Sequence, residues 1–543
     1  MALSASARTI AAVTRLLPWL LLLATLGAGC SRPTRVALAA RDQILLVGNG
    51  AEPKDLDSQT FVTSNELRIE SALFESLVNL ANDGRTLLPG VAESWEVSPD
   101  GRIYTFHLRS GARWSDGSPL TAEDLLYSYR RYFAPTLANV NAVYGYAIAG
   151  SREYNTGKNP SPASVGVRIV DPQTFEIRLA DRSPTFLSIL ATMYPVPRTV
   201  VERFGGGQRT GTAWTQPGHL VGNGAFVLRA WRPGQDLVVE RNPRYWDAAR
   251  VRLREIHFLP TDNPEAEERS YRSGELHTTY ALPVSKLAVY RDQAGGPLHV
   301  SPQLHTNYLV FHTTQPPFTD ARVRRAFSLA LDRDRLIPQV LHEAGSPAHT
   351  LARPGSAGYA PAPPLDYDPA QARALLAAAG YPGGRGFPAV EFAFYPGRAR
   401  EVMEALQQVW LRELGVRVSL ATQEKNVLFD RMSAHNFTAA EMGYFYAEDA
   451  PEAMLLMALS DSGYNYAQWH SPAYDRAYAA AIHAGTAADY QAALGAMDRL
   501  LQAEVPYAPL FYVNQCFLVS PQVRGWRDNA LGQIDWRELS LEP

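Results

Sequence analysis

The sequence predicts an α/β fold with more than one hydrophobic core. Short alternating segments, typical of strands, are interspersed along the chain with longer segments of helical periodicity, which favours layered α/β units over an all-β sandwich. The chain has 543 residues, too many for one core, and its 46% hydrophobic and 19% charged residues are an ordinary globular composition. No internal repeat interrupts this pattern.

The first third of the chain contains four readable elements. Residues 44–47 form a short apolar run that predicts a buried strand, and residues 65–80 have helical spacing. Residues 103–108 predict a second strand. Thr121, with Asp124 three residues later, predicts a helix that begins with a capping box.

The middle of the chain is richer in strands. Alternation of apolar and polar residues at 175–179 predicts a half-buried strand. Residues 223–226 open a further strand, and residues 237–240 predict its hairpin partner. Gly274 marks the end of a helix that leads into a further strand, and residues 307–312 predict another.

Strong helix signals follow in the last third. Asp320 and Asp368 are in N-cap positions, and Asp368 is followed by Pro at the first helical position, which is pre-organised for a helix. Residues 398–414 predict a long helix that Gly415 ends, and residues 416–420 alternate as a strand.

Several function classes receive no support from the sequence. We find no G-x-S-x-G elbow, no H-E-x-x-H and no phosphate-binding P-loop, and the net charge of −3 does not suggest nucleic-acid binding. His305 and His312 are seven residues apart on a strand, which places them on opposite faces, so we expect no metal and no cofactor. Cys516, in an apolar strand-like run, predicts a buried thiol rather than a catalytic one.

Residues 1–30 predict a secretion signal. Arg8 and Arg15 precede the apolar segment 16–26, which is too short to span a bilayer, and small residues lead to Cys30. This resembles a lipoprotein processing site, with Cys30 as the lipidated first residue, although Gly27 stands where that pattern prefers a larger apolar residue. Cleavage at a later site near residues 37–39 is the alternative.

One stretch of sequence is more informative about the type of protein than any single predicted helix or strand. Residues 91–134 contain the phrases GVAESWEVSPDGRIYTFHLR, WSDGSPLTAED and YSYRR. Together with LVGNGAFVL at 220–228, ERNPRYWD at 240–247 and PFTDARVRRAFSLALDRD at 317–334, they resemble the oligopeptide and dipeptide solute-binding proteins of bacterial ABC importers, extracellular solute-binding family 5. The resemblance covers nearly the whole mature chain.

The resemblance implies a two-lobed, periplasmic-binding-protein-like fold of type II, with a hinge and an additional third domain. After the signal 1–30 and a tether 31–43, we expect lobe I from residues 44–74, 200–304 and 513–543, the extra domain from 75–199 and lobe II from 305–512.

The resemblance also implies the function. A short peptide is enclosed between the lobes and presented to the permease and ATPase subunits of an ABC importer. The expected protein is exported, periplasmic or at the cell surface, membrane-anchored through Cys30 and monomeric, with no nucleic-acid partner and no enzymatic activity. Such proteins clamp an extended peptide backbone by β-augmentation.

The family pattern carries over to specific positions. Its two peptide-clamping segments fall on Val62, Thr63, Ser64 and on Gly443, Tyr444, Phe445. Three other positions depart from the pattern of the oligopeptide binders. Ala447 stands where they have the Asp that pairs with the peptide ammonium, Glu441 where they have an Arg, and Lys425 where they have a pocket Trp.

These departures leave two hypotheses open. The protein binds peptides through a rebuilt ammonium anchor, for which Glu441, Glu448 and Asp449 are the candidates. Alternatively, it binds a cationic, modified or N-blocked peptide or a non-peptide solute, or acts as a sensor or chaperone rather than in transport. A hydrolase is the least favoured hypothesis because no catalytic framework is present.

Overall fold

The structure, a computed structural model, describes residues 33–543 apart from 62, 184, 292, 294, 396, 447 and 448. The side chains of residues 398, 425 and 426 are also outside this description. Cys30 and the rest of the predicted signal precede the described residues. Within the described residues, no helix is long and apolar enough to cross a membrane.

The strands, in chain order, are β1 (Ile44–Gly48), β2 (Val78–Leu80), β3 (Leu87–Pro89), β4 (Ala92–Val97), β5 (Ile103–Leu108), β6 (Val167–Asp171), β7 (Thr174–Arg178), β8 (Phe226–Arg232), β9 (Asp236–Arg241), β10 (Glu255–Leu259), β11 (Leu298–Phe311), β12 (Gly345–Pro347), β13 (Val390–Phe394), β14 (Val418–Thr422), β15 (Ala439–Phe445), β16 (Tyr507–Leu518), β17 (Val523–Arg524) and β18 (Ser540–Leu541).

The helices are α1 (Arg35–Arg41), α2 (Ser64–Leu73), α3 (Ala122–Tyr132), α4 (Ser151–Asn155), α5 (Phe186–Leu190), α6 (Arg198–Arg203), α7 (Pro264–Arg272), α8 (Leu287–Arg291), α9 (Ala321–Leu329), α10 (Arg333–Leu341), α11 (Pro369–Ala378), α12 (Arg398–Leu414), α13 (Lys425–Ser433), α14 (Pro451–Leu455), α15 (Pro472–Ile482) and α16 (Ala487–Glu504).

Lobe I, as we use the term, is the unit built on the sheet β1-β10-β9-β8. β1 and β10 are parallel, whereas β10, β9 and β8 are antiparallel. Its core also contains residues from the end of the chain, among them Trp536 and Leu541. The amide of Gln43 donates a hydrogen bond of 2.7 Å to the carbonyl of Leu541, which ties the two ends of the described chain together.

The extra domain, as we use the term, is the unit built on the antiparallel sheet β4-β5-β7-β6. Helix α3 contributes Leu125 and Tyr129 to its core, where they pack with Phe106 and Phe175. Thr121 and Asp124 form the predicted capping box at the start of α3, and Asp124 also accepts a hydrogen bond from the indole of Trp114. The cap therefore fixes the helix on the domain core.

Lobe II, as we use the term, is the unit built on the sheet β12-β16-β11-β15-β13-β14. Hydrophobic clusters cover both of its faces, one around Phe327 and Trp410 and the other around Tyr308 and Met454. This arrangement of helices around a mixed sheet confirms the predicted α/β class.

Two long strands connect lobe I with lobe II, and we call them the hinge strands. β11 and β16 pair antiparallel from Leu298 opposite Leu518 to Val310 opposite Tyr507. At the lobe I end, Val519 bridges to Thr278, which in turn bridges to Val47 of β1. The lobe I sheet is thus connected by backbone pairing to the hinge strands.

Most predicted elements are confirmed. The strand at 103–108 is β5, the helix at 398–414 is α12, and the hairpin is β8 and β9. Asp320 and Asp368 are N-caps, and Cys516 is buried in β16.

Three predicted boundaries were wrong. The helix expected over 65–80 ends at Leu73, and Val78–Leu80 is a strand. The strand expected after Gly274 is reduced to isolated bridges at Thr278. The strand expected at 307–312 begins much earlier, at Leu298. The predicted domain boundaries stay a proposal.

Candidate functional site

A cavity of about 600 Å³ lies where lobe I, the extra domain, the hinge strands and lobe II meet. Thr63 and Ser64 line it from lobe I, Tyr144 from the extra domain, Gln515 from a hinge strand and Phe445 from lobe II. The segment that follows β17, residues 526–534, closes another side. Since every unit contributes to the wall, a relative movement of the lobes changes the shape of the cavity.

The lobe I wall is the first turn of helix α2. Thr63 is the N-cap, and it forms a capping box with Glu66, whose carboxylate accepts a 3.1 Å hydrogen bond from the backbone of Thr63. This box holds the chain in an extended conformation immediately before the helix. The hydroxyl of Ser64 lies 2.7 Å from that of Tyr280. Val62, the third residue of this predicted clamp, is outside the described residues.

The lobe II wall is the end of strand β15. Its whole length pairs with β11, but β13 pairs only with Ala439 and Ala440. Beyond these two residues, the other edge of β15 pairs with no strand of the described chain. Phe445, at the end of this free edge, lines the cavity and is 41% exposed. The ring of Tyr444 instead packs edge-to-face with that of Tyr464.

Gly443 provides a close approach between β15 and β11. It lies opposite Asn307, and a Cβ atom at this position would lie 2.5 Å from Nε2 of His305. Only a residue without a side chain fits here unless the His305 ring moves. The glycine therefore serves a close approach of β15 to His305.

Glu441 lies two residues before Gly443, on the same face of β15. It is completely buried, and the amide of Asn307 donates a 2.5 Å hydrogen bond to its Oε1. Its Oε2 has no hydrogen-bond partner among the described residues. Burial raises the pKa of Glu441 to about 7, against the opposing effect of the Asn307 hydrogen bond. Glu441 does not itself line the cavity.

Asp449 lies away from the cavity wall. Its carboxylate forms an ion pair with Arg85, in the hairpin between β2 and β3, and accepts a 2.8 Å hydrogen bond from Ser356. This carboxylate joins that hairpin to lobe II. Ala447 and Glu448 are outside the described residues. Lys425 is the first residue of α13, and its side chain is outside the description.

Arg68 and Tyr280 were missed in the sequence analysis. Both line the cavity, with the guanidinium carbon of Arg68 5.4 Å from the centre of the Tyr280 ring. Arg68 follows Ser64 by four residues on α2, so helical periodicity alone would have placed the two on one face. For Tyr280, which follows a loop, no signal in the sequence was available.

The other ionisable residues of the wall are His305, Arg527 and Asp528. Asp528 is paired, since its Oδ2 lies 2.9 Å from Nδ1 of His299. Among the described residues, no group of three or more His, Cys, Asp or Glu side chains is placed to hold a metal ion. The wall therefore combines aromatic and uncharged polar side chains with few charges, which suits an organic ligand.

The comparisons with known proteins agree with this architecture. A family model described as "Bacterial extracellular solute-binding proteins, family 5 Middle" matches residues 86–466. The chain belongs to this family. It is a family of solute-binding proteins, and the two-lobed α/β fold expected from the resemblance is confirmed.

Three similar proteins illustrate the range of the family. The periplasmic oligopeptide-binding protein OppA of Escherichia coli K12 is 32% identical over 506 residues, 91% of each chain. The probable deoxycholate-binding periplasmic protein YgiS of the same strain is 31% identical, over 91% of this chain and 92% of that protein. The solved murein tripeptide-binding protein MppA of Escherichia coli superimposes with a TM-score of 0.77 at 31% identity, over 92% and 98% of the two chains.

Proposed function

We propose that this protein is an exported receptor that binds short peptides between its lobes and delivers them to the permease and ATPase subunits of an ABC importer. The free edge of β15, directly beside a cavity of about 600 Å³, is the observation that carries this proposal. An extended peptide that adds to this edge gains backbone hydrogen bonds without regard to its sequence. The names of similar proteins, which bind oligopeptides and a murein peptide, support the same ligand class.

The two predicted clamp segments fit this binding mode. Thr63 and Ser64 line the lobe I side, and Phe445 lines the lobe II side, where Gly443 and Tyr444 precede it on the same strand. The hinge strands allow the two sides to approach each other around the ligand, as in hinge closure of other two-lobed binders. Val62 and Lys425 are kept as proposed contacts from the sequence.

Among the acidic candidates for an ammonium anchor, Glu441 has the most suitable environment. Its Oε2 has no partner among the described residues, whereas Asp449 is engaged by Arg85 and Ser356. A ligand ammonium that reached Oε2 would favour the ionised carboxylate and compensate its burial. Glu448 stays a candidate from the sequence.

The test is a thermal-shift titration of di- to hexapeptides with free and acetylated N-termini, combined with mass spectrometry of co-purifying ligand. A ligand at a hundredfold over its Kd stabilises the fold by about 2.7 kcal/mol, which is readily visible. We expect free-amine peptides to raise the melting temperature more than acetylated peptides do. This difference should disappear in Glu441→Gln. Absence of any peptide effect, with a non-peptide species in the purified protein, would contradict the peptide assignment.

A non-peptide solute is the second candidate function. Ala447 lacks the charge that the oligopeptide binders use for the peptide ammonium, and a 31% identical relative is named as a probable deoxycholate binder. On this alternative, an apolar acid such as deoxycholate shifts the melting temperature and peptides do not.

We also propose the cellular setting predicted from the sequence. The similar proteins are periplasmic, which supports export, and Cys30 supplies the proposed lipid anchor. The mass of the mature protein tests the anchor, since a diacylated N-terminal cysteine differs clearly from a free terminus near residue 40. Light scattering tests the proposed monomer, and prolonged incubation with a bound peptide tests the proposed absence of hydrolysis.

A further inference from the structure

Arg68 lines the cavity, and its guanidinium forms no ion pair and donates no hydrogen bond within the described part of the chain. We propose that its guanidinium receives a carboxylate of the ligand, so that the cavity selects peptides with a free carboxylate at this position. The assignment rests on the proposed peptide-binding function and adds an anchor that the clamp segments do not provide.

The environment of Arg68 is unusual for an arginine. The residue is only 8% exposed, and its side chain donates no hydrogen bond to any described residue. Its Nε is completely buried, and the guanidinium carbon lies 5.4 Å from the ring centre of Tyr280 and 6.0 Å from that of Trp536. A guanidinium has five N–H donors, of which the one on the buried Nε is out of reach of a ligand, while the four on Nη1 and Nη2 have no partner among the described residues.

The carboxylate that acts on Arg68 electrostatically is that of Glu267, whose Oε1 is buried and has no hydrogen-bond partner among the described residues. Oε2 of Glu267 accepts hydrogen bonds of 2.9 and 3.1 Å from the backbone of Tyr280 and Ala281, and Glu267 forms no ion pair with Arg68. Desolvation by burial lowers the pKa of Arg68, against the opposing electrostatic effects of Tyr280 and Glu267. A buried cation that forms no ion pair is costly, and an anionic ligand group in contact with it relieves that cost.

The surroundings also suit a carboxylate geometrically. Ser64 lies one turn before Arg68 on α2, and its hydroxyl and that of Tyr280 are 2.7 Å apart beside the cavity. The planar guanidinium fork can hold both oxygens of a carboxylate, and the hydroxyl that accepts in the Ser64–Tyr280 hydrogen bond offers one further donor. The flanking aromatic rings provide an apolar surface for the adjoining part of the ligand.

Arg527 offers a matched comparison. It also lines the cavity, but it is exposed, so water already solvates its charge. A carboxylate gains little from such a group, because water and salt screen an exposed ion pair. The proposal therefore predicts a strong effect at Arg68 and a weak one at Arg527.

The experiment compares ligands as well as variants. Isothermal titration is performed with trialanine, with trialanine amide, and with an amidated tripeptide that has a central glutamate. The first and second differ only in the terminal carboxylate, and the third moves the carboxylate to a side chain, so the set identifies its source. The wild-type protein is compared with Arg68→Gln, Arg68→Lys and Arg527→Gln, each checked by thermal unfolding.

We expect wild-type protein to bind a carboxylate-bearing tripeptide at least about tenfold more tightly than trialanine amide, as hydrogen bonds to charged groups imply. This ratio should approach one in Arg68→Gln, be reduced in Arg68→Lys and persist in Arg527→Gln.

Equal binding of acid and amide by wild-type protein would overturn the Arg68 assignment and leave the peptide-binding function intact. This comparison needs no variant, so it holds even if Arg68→Gln does not fold. A ratio that survives unchanged in a folded Arg68→Gln would also overturn the assignment. Failure of all three tripeptides, and of the di- to hexapeptides of the first test, to bind wild-type protein would overturn the proposed function and the assignment together.

Discussion

Buried charged side chains in this protein fall into two groups, those with a charged partner and those without. Arg131 and Asp57 are the clearest case of the first, with side chains 1% and 0% exposed and Nη2 and Oδ2 2.5 Å apart. Glu441 and Arg68 represent the second, and both lie at or near the cavity. The Arg131–Asp57 pair thus joins two units, whereas Arg68 lines the cavity and Glu441 lies behind its wall.

We expect Asp57→Asn to destabilise the protein by about 3–5 kcal/mol, because it leaves the Arg131 guanidinium buried without a counter-charge. Arg131 lies on α3 of the extra domain and Asp57 precedes α2 of lobe I, so the loss should be greatest at the contact between them. Denaturant unfolding provides the measurement. Glu202→Gln, which removes the partner of the exposed Arg198, is the control and should change stability by about 1 kcal/mol or less.

Glu441 should make stability depend on pH. Its pKa is raised from 4.5 to about 7 by burial, so the folded state binds the proton more tightly than the unfolded state. The free energy of unfolding therefore falls as pH rises from about 4.5 to 7 and levels off above that. From pH 5 to pH 8, the free energy of unfolding of Glu441→Gln should therefore rise by up to about 3 kcal/mol relative to that of wild type.

If the denaturation midpoints of wild type and of Glu441→Gln change by the same amount between pH 5 and pH 8, the assigned pKa of Glu441 is contradicted. The exposed Glu93, on β4, gives a control, since Glu93→Gln should leave the pH dependence unchanged.

At the scale of elements, β15 is the strand on which the proposed binding mode depends. Gly443 allows its close contact with β11, and a Cβ at this position would lie 2.5 Å from Nε2 of His305 and 3.1 Å from Nδ2 of Asn307. Asn307 in turn holds Glu441. One substitution would therefore disturb the strand pair, the cavity wall and the buried acid together.

We expect Gly443→Ala to destabilise the protein by about 1–3 kcal/mol, as overpacking does, and to weaken peptide binding as the His305 ring is displaced. Thermal unfolding and titration calorimetry measure the two effects. Gly463→Ala is the control, because a Cβ there meets no atom within 4 Å and neither property should change. Unchanged binding by a folded Gly443→Ala protein would argue against a role of this face of β15.

Elements with local signals were predictable, and those fixed by distant residues were not. Helix α12 was predicted to the residue, because Gly415 adopts the left-handed conformation that ends it. The helix predicted over 65–80 satisfied helical spacing, yet the backbone of Glu75 donates to Asn223 and the Ser76 hydroxyl to the carbonyl of Met193, which stops α2 early. Those partners are 148 and 117 residues away.

The same distinction holds for the site. The clamp positions were predicted from motifs that are continuous in the sequence, and three of them line the cavity. The pairing of Asp449 with Arg85 joins residues 364 apart, and the contact of Arg68 with Tyr280 joins α2 to a later loop. No periodicity or spacing indicates such contacts.

At the scale of the whole molecule, the Arg85–Asp449 pair links the β2–β3 hairpin to lobe II. Arg85 is 59% exposed, so the pair contributes about 1 kcal/mol or less to stability. We expect Asp449→Asn to accelerate hydrogen exchange in the hairpin while the core of either lobe is unaffected. Ser356→Ala, which removes only the second hydrogen bond to Asp449, should have a smaller effect.

The same variant distinguishes two roles for Asp449. If Asp449 only links the two units, its replacement should change the affinities for free-amine and acetylated peptides by the same factor. Selective loss of free-amine peptides would instead show that Asp449 binds the ligand ammonium.

The contact between Gln43 and Leu541 spans 498 residues, and it has a consequence for biosynthesis. At about 5–20 residues per second, the ribosome needs on the order of 25–100 seconds to proceed from one to the other. Trp536 and Leu541 belong to the lobe I core. The apolar strands of lobe I therefore lack these packing partners until the end of the chain has been synthesised. The first lobe to be translated is thus the last to be completed, and during that interval it should be the part of the nascent chain most dependent on chaperones.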